Sequence, residues 1–196
     1  MDAVDDGAIL LVCTGNVCRS PLLERLVAKA LDERFGAGAV PVRSAGTLGL
    51  VGQPMDERAA AVLRDLGGDP DGFVARRLTE PMISSASLVL TATREHRAQV
   101  ARMHPRAMKR AFTFRELEHI LTHLPDEALP QDTDPLERVA ALARTATEHR
   151  GRRRPASPDD LDITDPFRRE DAVYALMREQ VAGALPAVLR GLLGPS

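Results

Sequence analysis

The 196-residue chain has no tryptophan, one tyrosine (Tyr174), five phenylalanines and two cysteines, and each scarcity closes off a class of protein. With so few aromatics, a core must rest on Ala, Leu and Val. Two thiols, Cys13 and Cys18, are too few for the disulfide framework of a secreted domain or for a four-thiolate zinc site, so a reducing cytoplasm is the expected location. No metal and no cofactor is expected. No apolar run is long enough to span a bilayer. The amino terminus, Met1-Asp2-Ala3-Val4-Asp5-Asp6, is acidic, whereas a secretory signal begins with basic residues. A formal net charge of −2 gives no global attraction to nucleic acid or to an anionic membrane, and neither is expected as a partner. Arg150 to Arg154 form the one local basic run. Nothing in the sequence fixes the oligomeric state.

What remains is an ordinary globular composition, 44% apolar and 28% charged, over a length that suits one domain, residues 1–196. Ala8 to Val12 is a continuous apolar run, the pattern of a strand covered on both faces, and it leads into a Thr/Gly/Asn loop. A helix follows. Pro21 suits a first helical turn, Ser20 suits an N-cap, and Leu22, Leu23, Leu26, Val27, Ala30 and Leu31 repeat at helical spacing. Further strands are expected at Val40 to Ser44, Ser87 to Thr91 and near Arg110 to Thr113, with helices at Asp56 to Leu66 and Arg94 to Met103. A last amphipathic helix, Arg168 to Leu192, is expected to be kinked by Gly183 and Pro186. Strands alternating with helices make an α/β fold with a parallel sheet, whose ligands gather at the carboxyl ends of the strands. Cys13 ends the first strand.

Between Leu124 and Asp162 the character changes. Five prolines flank a helical stretch from Leu136 to His149, and the basic run follows. Residues 125–161 read as an inserted helical and basic excursion. The composition favours a solvated, partly disordered insertion over a lid or docking surface.

The segment Cys13-Thr14-Gly15-Asn16-Val17-Cys18-Arg19-Ser20-Pro21 carries the chemistry. A phosphoryl group in transfer spreads negative charge over three oxygens, so its catalysis is mostly positioning and electrostatic stabilisation. Backbone N–H groups from Thr14 to Ser20 at a helix start form a natural anion nest. Gly15 permits φ values that other residues resist, and Asn16 tolerates the left-handed region. Arg19 offers a planar fork for two phosphate oxygens. The same positive surroundings favour the Cys13 thiolate, a nucleophile, and the Ser20 hydroxyl can steady that sulfur. The alternative is an inert buried thiol at a strand end. The coincidence of Cys, Gly-Asn, Arg six positions on and a helix start directly after a buried strand speaks against it.

These residues resemble the signature of the low-molecular-weight protein tyrosine phosphatases, Cys-x-Gly-Asn-x-Cys-Arg-Ser-Pro. The likeness extends through Arg43-Ser44-Ala45-Gly46-Thr47, the helix from Asp56, the Ser87 to Thr91 strand and Asp165-Pro166-Phe167. The resemblance implies a phosphatase-I-like fold, a single three-layer domain with a four-stranded parallel sheet flanked by helices. It implies a Cys13 phosphocysteine intermediate, Arg19 as phosphate clamp and an Asp of an Asp-Pro-aromatic element as general acid and base. Two Thr-Asp-Pro triplets compete for that role. Asp165, followed by Pro166-Phe167, fits the family pattern, and Asp134 fits a helix cap. Thr14, Gly15, Asn16, Val17, Cys18 and Ser20 would surround the substrate phosphate, Asn16 and Ser44 would brace the loop, and Phe167 would flank an aromatic leaving group. Cys18 would either pack or trap an oxidised Cys13 as a disulfide.

The chain also departs from the pattern. Many members carry a His where Phe73 stands, and Phe73 cannot join a hydrogen-bonding brace. Val17 occupies the position where a Thr accompanies phosphoarginine activity, so the resemblance tilts toward a phosphotyrosine protein as substrate. Arg168 and Arg169 replace a second aromatic; they either attract an acidic substrate or form a solvated helix turn. The alternatives are a small-molecule phosphate, phosphoarginine, a catalytically silent phosphate-binding module and a thiol redox protein.

Overall fold

A computed structural model describes residues 9–131 and 133–194. The reading of residues 1–6 and the start of the first strand at Ala8 lie outside them. Four strands, β1 (Ile9–Cys13), β2 (Val42–Gly46), β3 (Leu88–Thr91) and β4 (Ala111–Thr113), form one parallel sheet in the order β2-β1-β3-β4. The chain leaves β1 toward one edge and returns to build the other. The carboxyl end of β1 is therefore the switch point where α/β sheets open a crevice, and Cys13 is its last residue.

Alternation along each strand divides the core in two. Ile9, Leu11, Leu88, Leu90 and Phe112 face a large cluster completed by α1 (Arg19–Phe35), α2 (Glu57–Asp65), α5 (Phe114–Thr122), α6 (Pro135–His149) and α7 (Asp171–Leu193). Leu10, Val12, Val89 and Ala111 face a smaller one, closed by α3 (Glu80–Ser85) and α4 (Arg94–Met103). This gives three layers, with helices on both faces of a four-stranded parallel sheet.

Several expectations shift. The second strand starts at Val42, after Pro41, which has no N–H for a ladder. The last helix starts at Asp171, because Arg168 adopts a left-handed φ of 59° that no helix tolerates; it runs continuously through Gly183 and Pro186. Helix α1 begins at Arg19, and Ser20 sits inside its first turn, so Ser20 is not the N-cap. Helices α3 and α5 escaped the sequence reading. The expected solvated insertion is also corrected: α6 buries Val139, Leu142, Ala143 and Ala146 in the main cluster. Arg150, the first of the basic run, pairs with Glu116 at 3.2 Å and covers the Phe112 ring at 4.0 Å.

Candidate active site

The loop from Cys13 to Ser20 is shaped by its own carbonyls. Those of Cys13, Thr14, Gly15 and Val17 accept from the amides of Thr47 (2.9 Å), Leu48 (2.9 Å), Leu50 (3.0 Å) and Asp56 (2.8 Å). Holding these oxygens outward turns the loop's N–H groups inward, the geometry of an anion nest. The Asn16 amide accordingly points at Cys13 Sγ, 3.3 Å away. The left-handed residue is Asn16, with φ 56°. Gly15 has no positive φ, and a methyl on it would find ordinary contacts, 3.5 Å from Val17 and 3.6 Å from Leu50, which corrects the conformational role expected for it.

Behind the loop, a buried polar chain fixes it. Asn16 Nδ2 donates to Ser20 Oγ at 3.0 Å and to Ser44 Oγ at 2.7 Å, and Ser44 in turn donates to Glu24. Ser20 Oγ lies 2.9 Å from Cys13 Sγ. The Ser20 hydroxyl thus lies between Asn16 Nδ2 and the sulfur. Burial pushes the Glu24 carboxyl up, against the pull of its Ser44 hydrogen bond. On the far side, Asn16 Oδ1 accepts from the Arg76 backbone N–H at 2.8 Å. Phe73, where a bracing His was missed, packs into the main core at 5% exposure. The brace there runs through backbone.

Arg19 is 3% exposed. Its guanidinium donates to the Ile163 carbonyl at 3.2 Å and to Thr14 Oγ1 at 3.4 Å, and meets Asp165 Oδ2 at 2.7 Å. Cys13, Thr14, Gly15, Val17, Cys18, Arg19, Asp165 and Phe167 line one cleft of about 210 Å³, together with Leu48 and Leu50. Asn16, Ser20 and Ser44 lie behind it, fully buried. Cys18 belongs to the main core, and burial, ahead of the nearby Asp56, raises its thiol. Asp134 stands apart from the cleft lining and caps α6, accepting from Leu136 N and Glu137 N at 2.9 Å each.

Four residues at or near the site had escaped the sequence reading. Leu48 and Leu50 form apolar walls just beyond Ser44-Ala45-Gly46-Thr47. Glu24 lies four residues after Ser20, one helical turn on, and helical spacing could have flagged it. His96 stands at the start of α4, its ring between Thr14 Oγ1 (2.9 Å from Nε2) and Thr93 Oγ1 (2.7 Å from Nδ1). Its position opposite the loop is set by tertiary packing alone.

A buried thiol, a convergent amide nest and a clamped guanidinium in one small cleft are the parts of a cysteine-based phosphatase. The comparisons agree with that inventory. Residues 8–149 match the family model described as low molecular weight phosphotyrosine protein phosphatase. The low molecular weight protein-tyrosine-phosphatase Etp of Escherichia coli (strain K12) is 36% identical over 147 residues, 74% of this chain and 93% of that protein. Among solved structures, the YwlE arginine phosphatase with a phosphorylated active-site serine is 25% identical with a TM-score of 0.64, covering 93% of each chain. The tyrosine phosphatase Wzb from Escherichia coli K30, in complex with phosphate, shares the fold at 23% identity, with a TM-score of 0.64 over 96% of this chain and 93% of that one. The chain belongs to the low-molecular-weight phosphotyrosine protein phosphatases, which are phosphoric monoester hydrolases.

Proposed function

We propose that this chain hydrolyses phosphotyrosine in proteins, with Cys13 as nucleophile, Arg19 as phosphate clamp and Asp165 as general acid and base. The observation that carries this is the meeting of all three side chains in one cleft, with Asp165 Oδ2 2.7 Å from Arg19. The sulfur attacks phosphorus in line. As the P–O ester bond breaks, Asp165 gives its proton to the leaving oxygen, and the phosphoryl group rests on Cys13. Water then attacks that phosphorus, Asp165 takes its proton, and the P–S bond breaks to release inorganic phosphate. The N–H groups from Thr14 to Ser20 and the Arg19 fork hold the equatorial oxygens throughout. Ser20 steadies the sulfur as it leaves.

Asp165 lies beyond the matched residues 8–149, so its role rests on geometry. Its carboxylate is half exposed at the cleft rim, where a leaving group would depart. The walls support an aryl phosphate. Leu48, Leu50, Val17 and Phe167 offer apolar surface to a flat ring, and Asp165 is the one carboxylate in the lining that a guanidinium could meet. The likeness to YwlE arginine phosphatase keeps phosphoarginine as the second reading. Two free thiols, one of them the nucleophile, support a reducing cytoplasm as the location in this reading, with a phosphoprotein as partner.

A panel of phosphotyrosine peptide, phosphoarginine and small phosphate esters, assayed without added metal, tests the proposal. The peptide is expected to exceed phosphoarginine at least tenfold in kcat/KM, and Cys13→Ser is expected to abolish turnover. Normal turnover in that variant would end the cysteine mechanism. A preference for phosphoarginine would transfer the assignment to the second reading.

A further inference from the structure

His96 is buried at 6% exposure on the wall of the phosphate loop, outside the cleft, and its two ring nitrogens are held by two threonine hydroxyls. Burial, with the Arg19 charge behind it, lowers its pKa to about 4 against the pull of Asp165 and Asp162. At neutral pH the imidazole therefore carries one N–H and one lone pair. Which nitrogen holds the proton decides what the Thr14 hydroxyl can do.

Proton counting separates the two tautomers. Thr93 Oγ1 accepts the His96 backbone N–H at 3.3 Å. If Nδ1 carried the ring proton, Thr93 would accept twice, and its own proton would find no acceptor among the described residues and would have to turn to solvent, since Thr93 is half-buried. If Nε2 carries it, Thr93 donates to Nδ1 and is satisfied. Thr14 Oγ1 then accepts from His96 Nε2 and from Arg19, at 2.9 and 3.4 Å. A hydroxyl has two lone pairs and one proton. With both lone pairs occupied, the Thr14 O–H must point elsewhere, and Thr14 lines the cleft. A phosphoryl oxygen there can only accept.

We infer that His96 is a positioning residue that fixes the Thr14 hydroxyl as an obligate donor to the substrate phosphoryl group, through the relay Thr93–His96–Thr14. This rests on the reading of the cleft as a phosphoryl site. It adds a side-chain donor to the backbone nest, and it ties α4 to the phosphate loop. Phosphate bound without this device would have to compete with the imidazole for the same hydroxyl proton.

The test is inorganic phosphate binding by calorimetry at pH 7, alongside aryl phosphate turnover. It compares wild type with Thr14→Val, His96→Ala, His96→Gln, His96→Asn and the double variant Thr14→Val/His96→Ala. Removing one hydrogen bond to a charged ligand is expected to weaken phosphate binding about tenfold in Thr14→Val and in His96→Ala. The double variant should bind within about twofold of Thr14→Val, because both changes remove the same interaction. Gln places an amide nitrogen where Nε2 stood and should restore most of the affinity. Asn reaches only the Nδ1 side and should not. Wild-type affinity in His96→Ala, a double variant weakened by the product of the singles, or equal rescue by Asn and Gln would each overturn the assignment. Should His96→Ala fail to fold, the contrast between Gln and Asn carries the decision. A wild type that bound phosphate but hydrolysed no aryl phosphate would strike the hydrolase reading, while the binding series would still judge His96.

Discussion

Asp134 and Asp165 both occur as Thr-Asp-Pro, and their surroundings give them different work. Asp134 spends its carboxylate on two backbone amides of α6, whereas Asp165 holds one oxygen against Arg19 at the cleft. Asp165→Asn is expected to lower kcat about 10²- to 10⁴-fold, the usual size of a lost general acid. Asp134→Asn should leave turnover within a factor of two, since Asn caps helices about as well as Asp. Steady-state rates of the two variants check this, and a larger loss in Asp134→Asn would reverse the assignment. The Asp-Pro-Phe context, through the family resemblance, pointed to Asp165 in the sequence, and the Cys-to-Arg spacing pointed to Cys13 and Arg19; the fold brings all three to one cleft. His96 was not readable, because its partner Thr14 lies 82 positions away and only the folded sheet brings them together. That burial has its own signature. The native His96 pKa is about 4 against an ordinary 6.5. Below pH 6.5 the unfolded chain takes up a proton that the native state refuses, so stability falls as pH drops from about 6.5 to about 4 and then levels. The gap corresponds to about 3 kcal/mol. Urea unfolding at pH 7 and pH 4.5 should show this loss in wild type, and His96→Gln should lack it. An equal pH dependence in both would mean that His96 is not the buried neutral group described.

The loop after Cys13 owes its shape to a second element, the segment after β2. Thr47, Leu48 and Leu50 hold the loop carbonyls, and Gly46 lets the two backbones meet. A methyl on Gly46 would collide with the Thr14 carbonyl oxygen and lie 2.8 Å from Gly49 Cα and 3.0 Å from Asn16 N. All are backbone atoms, which cannot swing aside. Gly46→Ala is therefore expected to push the loop off its nest, costing about 1–3 kcal/mol of stability and at least tenfold in kcat/KM. Thermal unfolding and aryl phosphate kinetics measure the two together, and unchanged kinetics would show that the loop keeps its shape without this support. Element-level reading of the sequence found α1, α2 and α4, each set off from the preceding strand by a loop. It missed α5, although Thr113 and Glu116 form a capping box there. That helix is as long as α2, nine residues each, but it follows β4 directly, with no Gly or Pro between Thr113 and Phe114 to mark a new element.

At the scale of the whole molecule, the open matter is the stretch after Leu124. Its prolines and arginines suggested solvated chain, because composition registers polar flanks more loudly than one apolar helix face. The apolar face decides. Leu142 is fully buried, and at Gly191 of α7 an added methyl would come within 2.8 Å of Leu121 on α5 and 3.1 Å of Leu142 on α6. Three helices thus converge on one glycine, in the same cluster that supports the face of β1 ending in Cys13. Helix α6 is part of the core, and its loss should be felt as stability before it is felt as chemistry. Leu142→Ala is expected to destabilise the protein by about 2–5 kcal/mol, the range for truncating a buried leucine. Its kcat/KM, measured well below the midpoint of unfolding, should stay within a factor of two, because Leu142 is not among the residues that line the cleft. Denaturant unfolding with parallel kinetics separates the outcomes. A variant as stable as wild type would return α6 to the solvated periphery, and one that kept its stability but lost activity would make α6 part of the substrate site.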